Sequence, residues 1–270
     1  MIYPPKGSNN LEKWSTDIIR ATEANLVLAN LVHDYSAFVK DNGDVVNIPN
    51  LSNLTANDKV AGANVSFQAP TESSSTINVN THKETSFLLE DITAIQANVD
   101  LNSEYTSKAG YAVAQSIDSS ISALASGFSQ TKGTYNTAIT TDVILDSIQL
   151  LDDADVPQDD RHFVMKPETK RDIIDISNYT SSDFVEGRPT QTGKIGALYG
   201  VNTYMTTQIV KSGNNTNNMM FHRDAIGMAM SKQPTTKSWY NPAAIGYEVV
   251  TDTIFGVAEV RDDHGVLIKT

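Results

Sequence analysis

Three groups of residues are of types that could do chemistry, and their spacing decides against each. The stretch Gly187-Arg-Pro-Thr-Gln-Thr-Gly193-Lys194-Ile195 resembles a phosphate-binding loop. In such a loop four residues separate the glycines, the lysine reaches the terminal phosphates, and a following Ser or Thr holds magnesium. Here five residues lie between the glycines and Ile195 replaces the hydroxyl, so the segment reads as a Gly-rich loop. The acidic run Asp152, Asp153, Asp155, Asp159 and Asp160 has the charge for calcium. Pro157 stands where an EF-type loop needs a turn glycine, so the run reads as a solvated helix end. Histidines at 33, 82, 162, 222 and 264 form no His-x-x-x-His pair, and His162 and His222 fall in strand-like segments as packed or hydrogen-bonded residues.

Several chemistries are absent from the sequence altogether. With no cysteine among 270 residues there is no thiol nucleophile, thiolate zinc site, iron–sulfur cluster or disulfide. Neither a Gly-x-Ser-x-Gly elbow nor a Gly-x-Gly-x-x-Gly turn after a strand occurs. Catalytic, cofactor-binding and metal sites are therefore all expected to be lacking. A net charge of -12 argues against dedicated nucleic-acid binding, which needs a basic face to displace counterions. No run approaches the ~20 apolar residues of a membrane-spanning helix. The opening MIYPPKGSNNLEKW has neither the basic start nor the apolar middle of a signal peptide. Asn-x-Ser/Thr sequons such as those at Asn53, Asn64, Asn178 and Asn214 then read as chance in a chain rich in Asn, Ser and Thr.

The elements that would position any functional residue follow from hydrophobic period and turn signals. Apolar spacing predicts a short amphipathic helix from about Ser15 to residue 32. After the turn Asp41-Asn42-Gly43-Asp44, Val45–Pro49 reads as a strand, and alternation at Thr76–Thr81, running toward Phe87, reads as its return. Between them lie about 25 mostly polar residues, an unusual length for a loop inside a compact domain. From about Asp91 to Ser126 apolar residues recur every three or four positions, with Gly110 as the weak point. An unbroken helix of that length spans roughly 54 Å, against about 48 Å for a compact sphere of the whole chain. A flat or elongated molecule is implied. Beyond a turn at 127–133 the texture is α/β: a helix at Thr140–Asp153, a buried strand at Arg161–Met165 and a helix opened by Pro167. A polar loop follows at 177–197, then strands at Gly200–Ile209, Met219–Met230, Ile245–Val250, Ile254–Val260 and Val266–Ile268.

The order of these segments resembles the major capsid protein of tailed double-stranded DNA bacteriophages, the Hong Kong 97-type fold. The resemblance runs over nearly the whole chain. It is carried by the Gly-Asp-Val-Val-Asn-Ile-Pro opening at 43–49, the long helix after Leu89-Glu90-Asp91-Ile92, LDDADVPQDDRHFVMKP at 151–167, FHRDAIGMAMSK at 221–232 and YEVVTDTIFGVAEVR at 247–261. It implies an α+β fold with an N-terminal arm (1–40), an extended hairpin loop reaching over a neighbouring subunit (41–87) and a peripheral domain with a spine helix (88–134). An axial domain (135–240) and strands returning to the peripheral sheet (241–270) complete it.

That likeness implies a structural, non-enzymatic protein that self-assembles through hexamers and pentamers into an icosahedral head shell around double-stranded DNA, in the virion after assembly in the host cytoplasm. DNA would be enclosed without sequence-specific binding. The chain starts almost directly at the arm, without the cleaved helical segment of the family's type member, which implies a separate scaffolding protein or assembly without one; a portal and a decoration protein are further implied partners. Inter-subunit contact candidates are Trp14, Asn57, Asp58, Lys59, Phe67, Arg188 and Lys194. Some family members cross-link through a loop lysine; no partner Asn or activating Glu is identifiable for Lys59, which reads as an electrostatic contact. The alternatives are an encapsulin-type nanocompartment shell, which shares the fold but encloses cargo enzyme, and a non-assembling α/β enzyme.

Overall fold

The computed structural model describes residues 27–39, 45–51, 54–59, 61–62, 64, 67–69, 72–90, 101–176 and 196–270. The expected arm helix before residue 27, the first turns of the spine helix at 91–100 and the polar loop at 177–195 lie outside the described residues. So do Trp14, Arg188 and Lys194.

Continuous apolar runs become strands buried on both faces, since neither side can be left to water. Strand β6 (Arg161–Met165) is buried at every residue. It pairs antiparallel with β10 (Asn215–His222) and parallel with β8 (Val201–Met205). Strand β13 (Gly265–Lys269) lies on the other side of β10 and pairs in parallel with β5 (Gln130–Gly133). With β7 (Ala197–Leu198) and β9 (Lys211–Ser212) these form a seven-stranded mixed sheet. Helix α3 (Thr141–Asp153) starts where the Thr140 hydroxyl accepts the Val143 N–H. Helix α4 (Pro167–Asp175) starts on proline, whose missing N–H costs nothing in a first turn. Ile144, Leu151 and Ile173 from these helices pack with Phe163, Met165, Met220 and Val266 of the sheet.

A second sheet is built from β4 (Thr81–Glu90), β11 (Ile226–Asn241), β12 (Gly246–Glu259) and the two-residue β1 (His33–Asp34), in the order β1-β11-β12-β4. Helix α2 (Leu101–Leu124) turns Ala109, Val113, Ile117 and Ile121 inward as the period predicted, and at 1.5 Å per residue it spans about 36 Å. Its Ile117 and Ile121 join Leu28, Phe221, Ile226 and Phe255 in the core shared by both sheets. The short helix α1 (Leu28–Leu31) brings Leu28 and Leu31 into the same core.

The return strand expected at 76–87 is two strands. Strand β3 (Glu72–Asn78) pairs with β2 (Val45–Leu51), and the chain then bends at Val79-Asn80 into β4, which pairs with β12 instead. The expected grouping of 241–270 is also divided: β12 joins the sheet of β4, while β13 enters the seven-stranded sheet between β5 and β10. Likewise the expected boundary at 240 falls inside β11, and β5 (within 88–134) belongs to the seven-stranded sheet. In each case sheet membership follows the available hydrogen-bonding edge, which hydrophobic spacing does not encode.

Candidate assembly surfaces

Among the described residues, the β2–β3 hairpin is anchored at its root. Val46, Ile77 and Val79 form a small core with Ala229 of β11, flanked by Tyr35, Ile48, Ile254 and Ala258. Gly256 permits this close approach, since a side chain there would lie 2.2 Å from the Asn78 carbonyl oxygen. The Ser75 hydroxyl donates to the Val260 carbonyl at 2.8 Å and ties the root to the end of β12. Past the Leu51–Glu72 pair every described residue of the connection is exposed. Leu54 is 68% exposed and Phe67 is 93% exposed. The two limbs are held across the tip by Gln68, whose Oε1 accepts the Thr55 N–H at 3.0 Å while its Nε2 donates to the Thr55 carbonyl. Asn57, Asp58 and Lys59 stand in solvent on this tip beside no core of their own. A Phe fully in water forgoes on the order of 2 kcal/mol of burial.

A second projection is the three-stranded ribbon formed by β4 with the distal halves of β11 and β12. Sequence reasoning missed it, because residues 231–238 read SKQPTTKS, with no apolar alternation. It is held by ladder pairing with register irregularities around Lys232 and Thr235, by a Thr236–Thr251 hydroxyl bond of 2.9 Å, and by Asp252. Asp252 accepts from Lys232 and lies 3.0 Å from His82 Nε2, and these bonds hold its carboxyl down at about 2. Trp239, Tyr240, Ile245 and Tyr247 are exposed near the ribbon tip, with the two tyrosine rings edge-on at 5.2 Å.

The sequence motif at 151–167 has a mechanical explanation. Helix α3 ends in a Schellman turn: Val156 N–H donates to the Leu151 carbonyl at 3.1 Å and Asp155 N–H to the Asp152 carbonyl at 3.0 Å. Asp155 takes the left-handed backbone such a turn requires, φ 54°. Leu151 and Val156 meet in the core beneath it. Arg161, 3% exposed, reaches back to donate to the Val156 and Pro157 carbonyls and pairs with Asp152 at 2.7 Å. The acidic run is thus a helix terminus pinned by a buried guanidinium. Among the described residues no group of His, Asp and Glu is arranged to hold a metal.

Residues that were separate in sequence converge elsewhere. His33 Nδ1 lies 2.9 Å from Asp224, the Asp224 N–H donates to His222 Nδ1, and the His222 and His264 rings meet at 5.9 Å. Burial lowers the pKa of His222 and of His162, which is wedged between the Tyr204 and Phe221 rings. These contacts stitch β1 and the 223–225 turn together. Asp118, 1% exposed within α2, was hidden in the apolar period. Its carboxylate accepts the N–H groups of Val27, Leu28 and Ala29 at 2.9, 3.2 and 3.0 Å, capping α1 from some 90 residues away. Burial raises the Asp118 pKa, against the pull of those three bonds. Glu168, in the first turn of α4, is held below its usual pKa by Lys211 and Thr216, so it is committed to structure rather than poised as a base.

Two sheets around one spine helix, a root-anchored hairpin and a projecting ribbon are the features of a shell subunit. The family model for phage capsid proteins matches residues 27–269, and the chain belongs to that family. A solved structure from Mycobacterium phage Che8 is similar over 96% of this chain and 96% of its own, with 23% identity and a TM-score of 0.82. The capsid structure of cyanophage P-SCSP1u aligns with 14% identity and TM-score 0.80 over 96% and 92% of the two chains. The mature capsid of bacteriophage PhiM1 aligns with 13% identity and TM-score 0.75 over 96% and 91%. No curated protein matches the chain. The fold is the Hong Kong 97-type fold that the segment order resembled. The chain is a bacteriophage major capsid protein, a structural component of the virion shell, and neither the nanocompartment nor the enzyme alternative gains support.

Proposed function

We propose that the chain forms hexamers and pentamers of a closed icosahedral head shell around double-stranded DNA, with the 41–87 hairpin lying on a neighbouring subunit. The observation that carries this is the hairpin itself, buried at Val46 and Ile77 but bare at Leu54 and Phe67. A segment with too few apolar residues to fold on itself gains its burial from a partner. Asn57, Asp58, Lys59 and Phe67 are its contact residues, with Trp14 in the arm and Arg188 and Lys194 in the axial loop. Residues 1–40 act as the arm, 88–134 as the spine and peripheral region, 135–240 as the axial domain around the five-fold and six-fold axes, and 241–270 as returning strands, with the sheet exchanges described above. Many modest heterologous contacts add up, because each tethered contact sees a high effective concentration.

The net charge of -12 suits a wall along which DNA must slide, enclosing it without sequence-specific contacts. No catalysis is involved. Scaffold, portal and decoration proteins are separate partners, and assembly takes place in the host cytoplasm. Deletion of residues 50–73 tests the reading. The subunit should keep its circular dichroism spectrum while negative-stain microscopy shows loss of closed particles. Shells of unchanged stability from the deleted chain would overturn it.

A further inference from the structure

The chain passes between the two sheets at 125–129, 223–225 and 260–264, and these crossings lie against one another. The Ala225 carbonyl accepts the Val260 N–H at 2.8 Å and the Arg261 N–H at 3.2 Å. Asp262 Oδ1 accepts the Ser129 N–H at 2.7 Å. Glu259, the last residue of β12, brings its carboxyl to the same place: a Cβ on Gly127 would lie 2.8 Å from its Oε2. The two carboxyl groups therefore converge on the same short crossing, Glu259 at Gly127 and Asp262 at Ser129, where each acts on the other. Two carboxyl groups can hydrogen-bond only while one holds a proton, because a carboxylate accepts and cannot donate. Gly127 also closes the helical turn that ends the spine, where the unpaired carbonyls disfavour a second negative charge.

We propose that Glu259 and Asp262 share one proton and form a pH-sensitive clasp between the 125–129 and 260–264 crossings, closed in mildly acidic solution and loosened in mildly alkaline solution. The groups facing Glu259 support this. Asp262 is the charged neighbour acting on it, and the 127–129 crossing presents Gly127, Phe128 and Ser129, with no titratable side chain. Across the ladder Glu259 pairs with Ile226. The adjacent Arg261 turns its guanidinium to His264, 3.5 Å away, and His264 is tied to Asp263. Burial first, then the Asp262 hydrogen bond and charge, push the Glu259 carboxyl from 4.5 up to about 7. Burial opposes ionisation of Asp262, but its bonds from Ser129 and Glu259 carry it below the usual range.

The sign follows from linkage. Below 4.5 Glu259 holds its proton folded or unfolded, and the clasp contributes fully. Between 4.5 and about 7 only the folded state keeps the proton, so stability falls as pH rises. Above that window two carboxylates face each other and the crossings part more easily. The clasp would let the two sheets of a shell subunit shift relative to one another without either sheet unfolding.

Hydrogen exchange on the full chain at about pH 6 and about pH 8.5, corrected for intrinsic exchange, tests this. In the wild type, amides at 126–130 and 260–264 should exchange at least about tenfold faster at the higher pH, while those of 161–165 hold steady. Glu259→Gln, whose amide donates to Asp262 at every pH, should abolish the response. Asp262→Asn, which keeps an acceptor for Ser129, should move the response to lower pH. A wild-type response shared by Glu259→Gln, no response at all, or an Asp262→Asn midpoint equal to the wild type would overturn the clasp. The clasp lies within one subunit, so its failure would leave the shell assignment standing.

Discussion

The seven-stranded sheet and the hairpin with its neighbouring ribbon are made of the same chain and obey opposite rules. In the former, β6 is buried at all five residues and its helices close over it. In the latter, strands of comparable regularity leave one side open, and Phe67, Trp239, Tyr240 and Tyr247 face solvent. The first region satisfies itself. The second is held to the subunit by its root and leaves large apolar side chains exposed beyond it. On the function proposed above, the contrast separates residues that determine whether a subunit folds from residues that determine whether subunits join.

Phe163→Ala should give the largest effect. Its ring is wholly buried between α3, α4 and the sheet, and truncation should cost about 3–5 kcal/mol by urea denaturation, enough to empty the soluble fraction. A loss below 1 kcal/mol would mean that the self-satisfied region is less tightly packed than its burial implies. Asp118→Ala is intermediate. Three N–H groups at 27–29 would lose their acceptor, at a cost of about 1–3 kcal/mol, and hydrogen exchange should rise selectively at residues 27–34. Uniform loosening of the whole molecule would instead make Asp118 part of the core rather than the anchor of α1. Phe67→Ala should barely touch the isolated subunit, within about 0.5 kcal/mol, yet reduce the yield or thermal stability of assembled shells. Subunit destabilisation with normal shells would invert the comparison.

Legibility in the sequence follows the same division. Helices α3 and α4 and strand β6 are readable because each has a local cause: a Thr140 cap, Pro167 at a first turn, five consecutive buried residues. Even Arg161 sits inside a recognisable motif, although its carbonyl partners emerge only from the geometry of the Schellman turn. The distal half of β11 was not readable. Ser231 to Ser238 carry no alternation, and their extended conformation is imposed by the ladder to β12. Strand β5, with the sequence QTKG, likewise exists because β13 offers it an edge. Asp118 looked like one polar residue on a helix, and the chain it caps lies some 90 residues earlier. The Glu259–Asp262 pair gave no signal either, since adjacent acids near a strand end are ordinary. Gly256, against which the hairpin root lies, is with Gly133 and Gly246 one of the glycines that mark a close backbone approach.

The placement of β13 between β5 and β10 has a consequence in time. Strand β5 leaves the ribosome roughly 135 residues before its partner, a delay of about 7–27 s at ordinary elongation rates of about 5–20 residues per second. Throughout that interval β5 has no edge to join, and once β10 has emerged it keeps one bare edge until β13 follows. A nascent chain therefore cannot present the finished sheet to its neighbours, and polymerisation of half-made subunits on a polysome is delayed by topology alone.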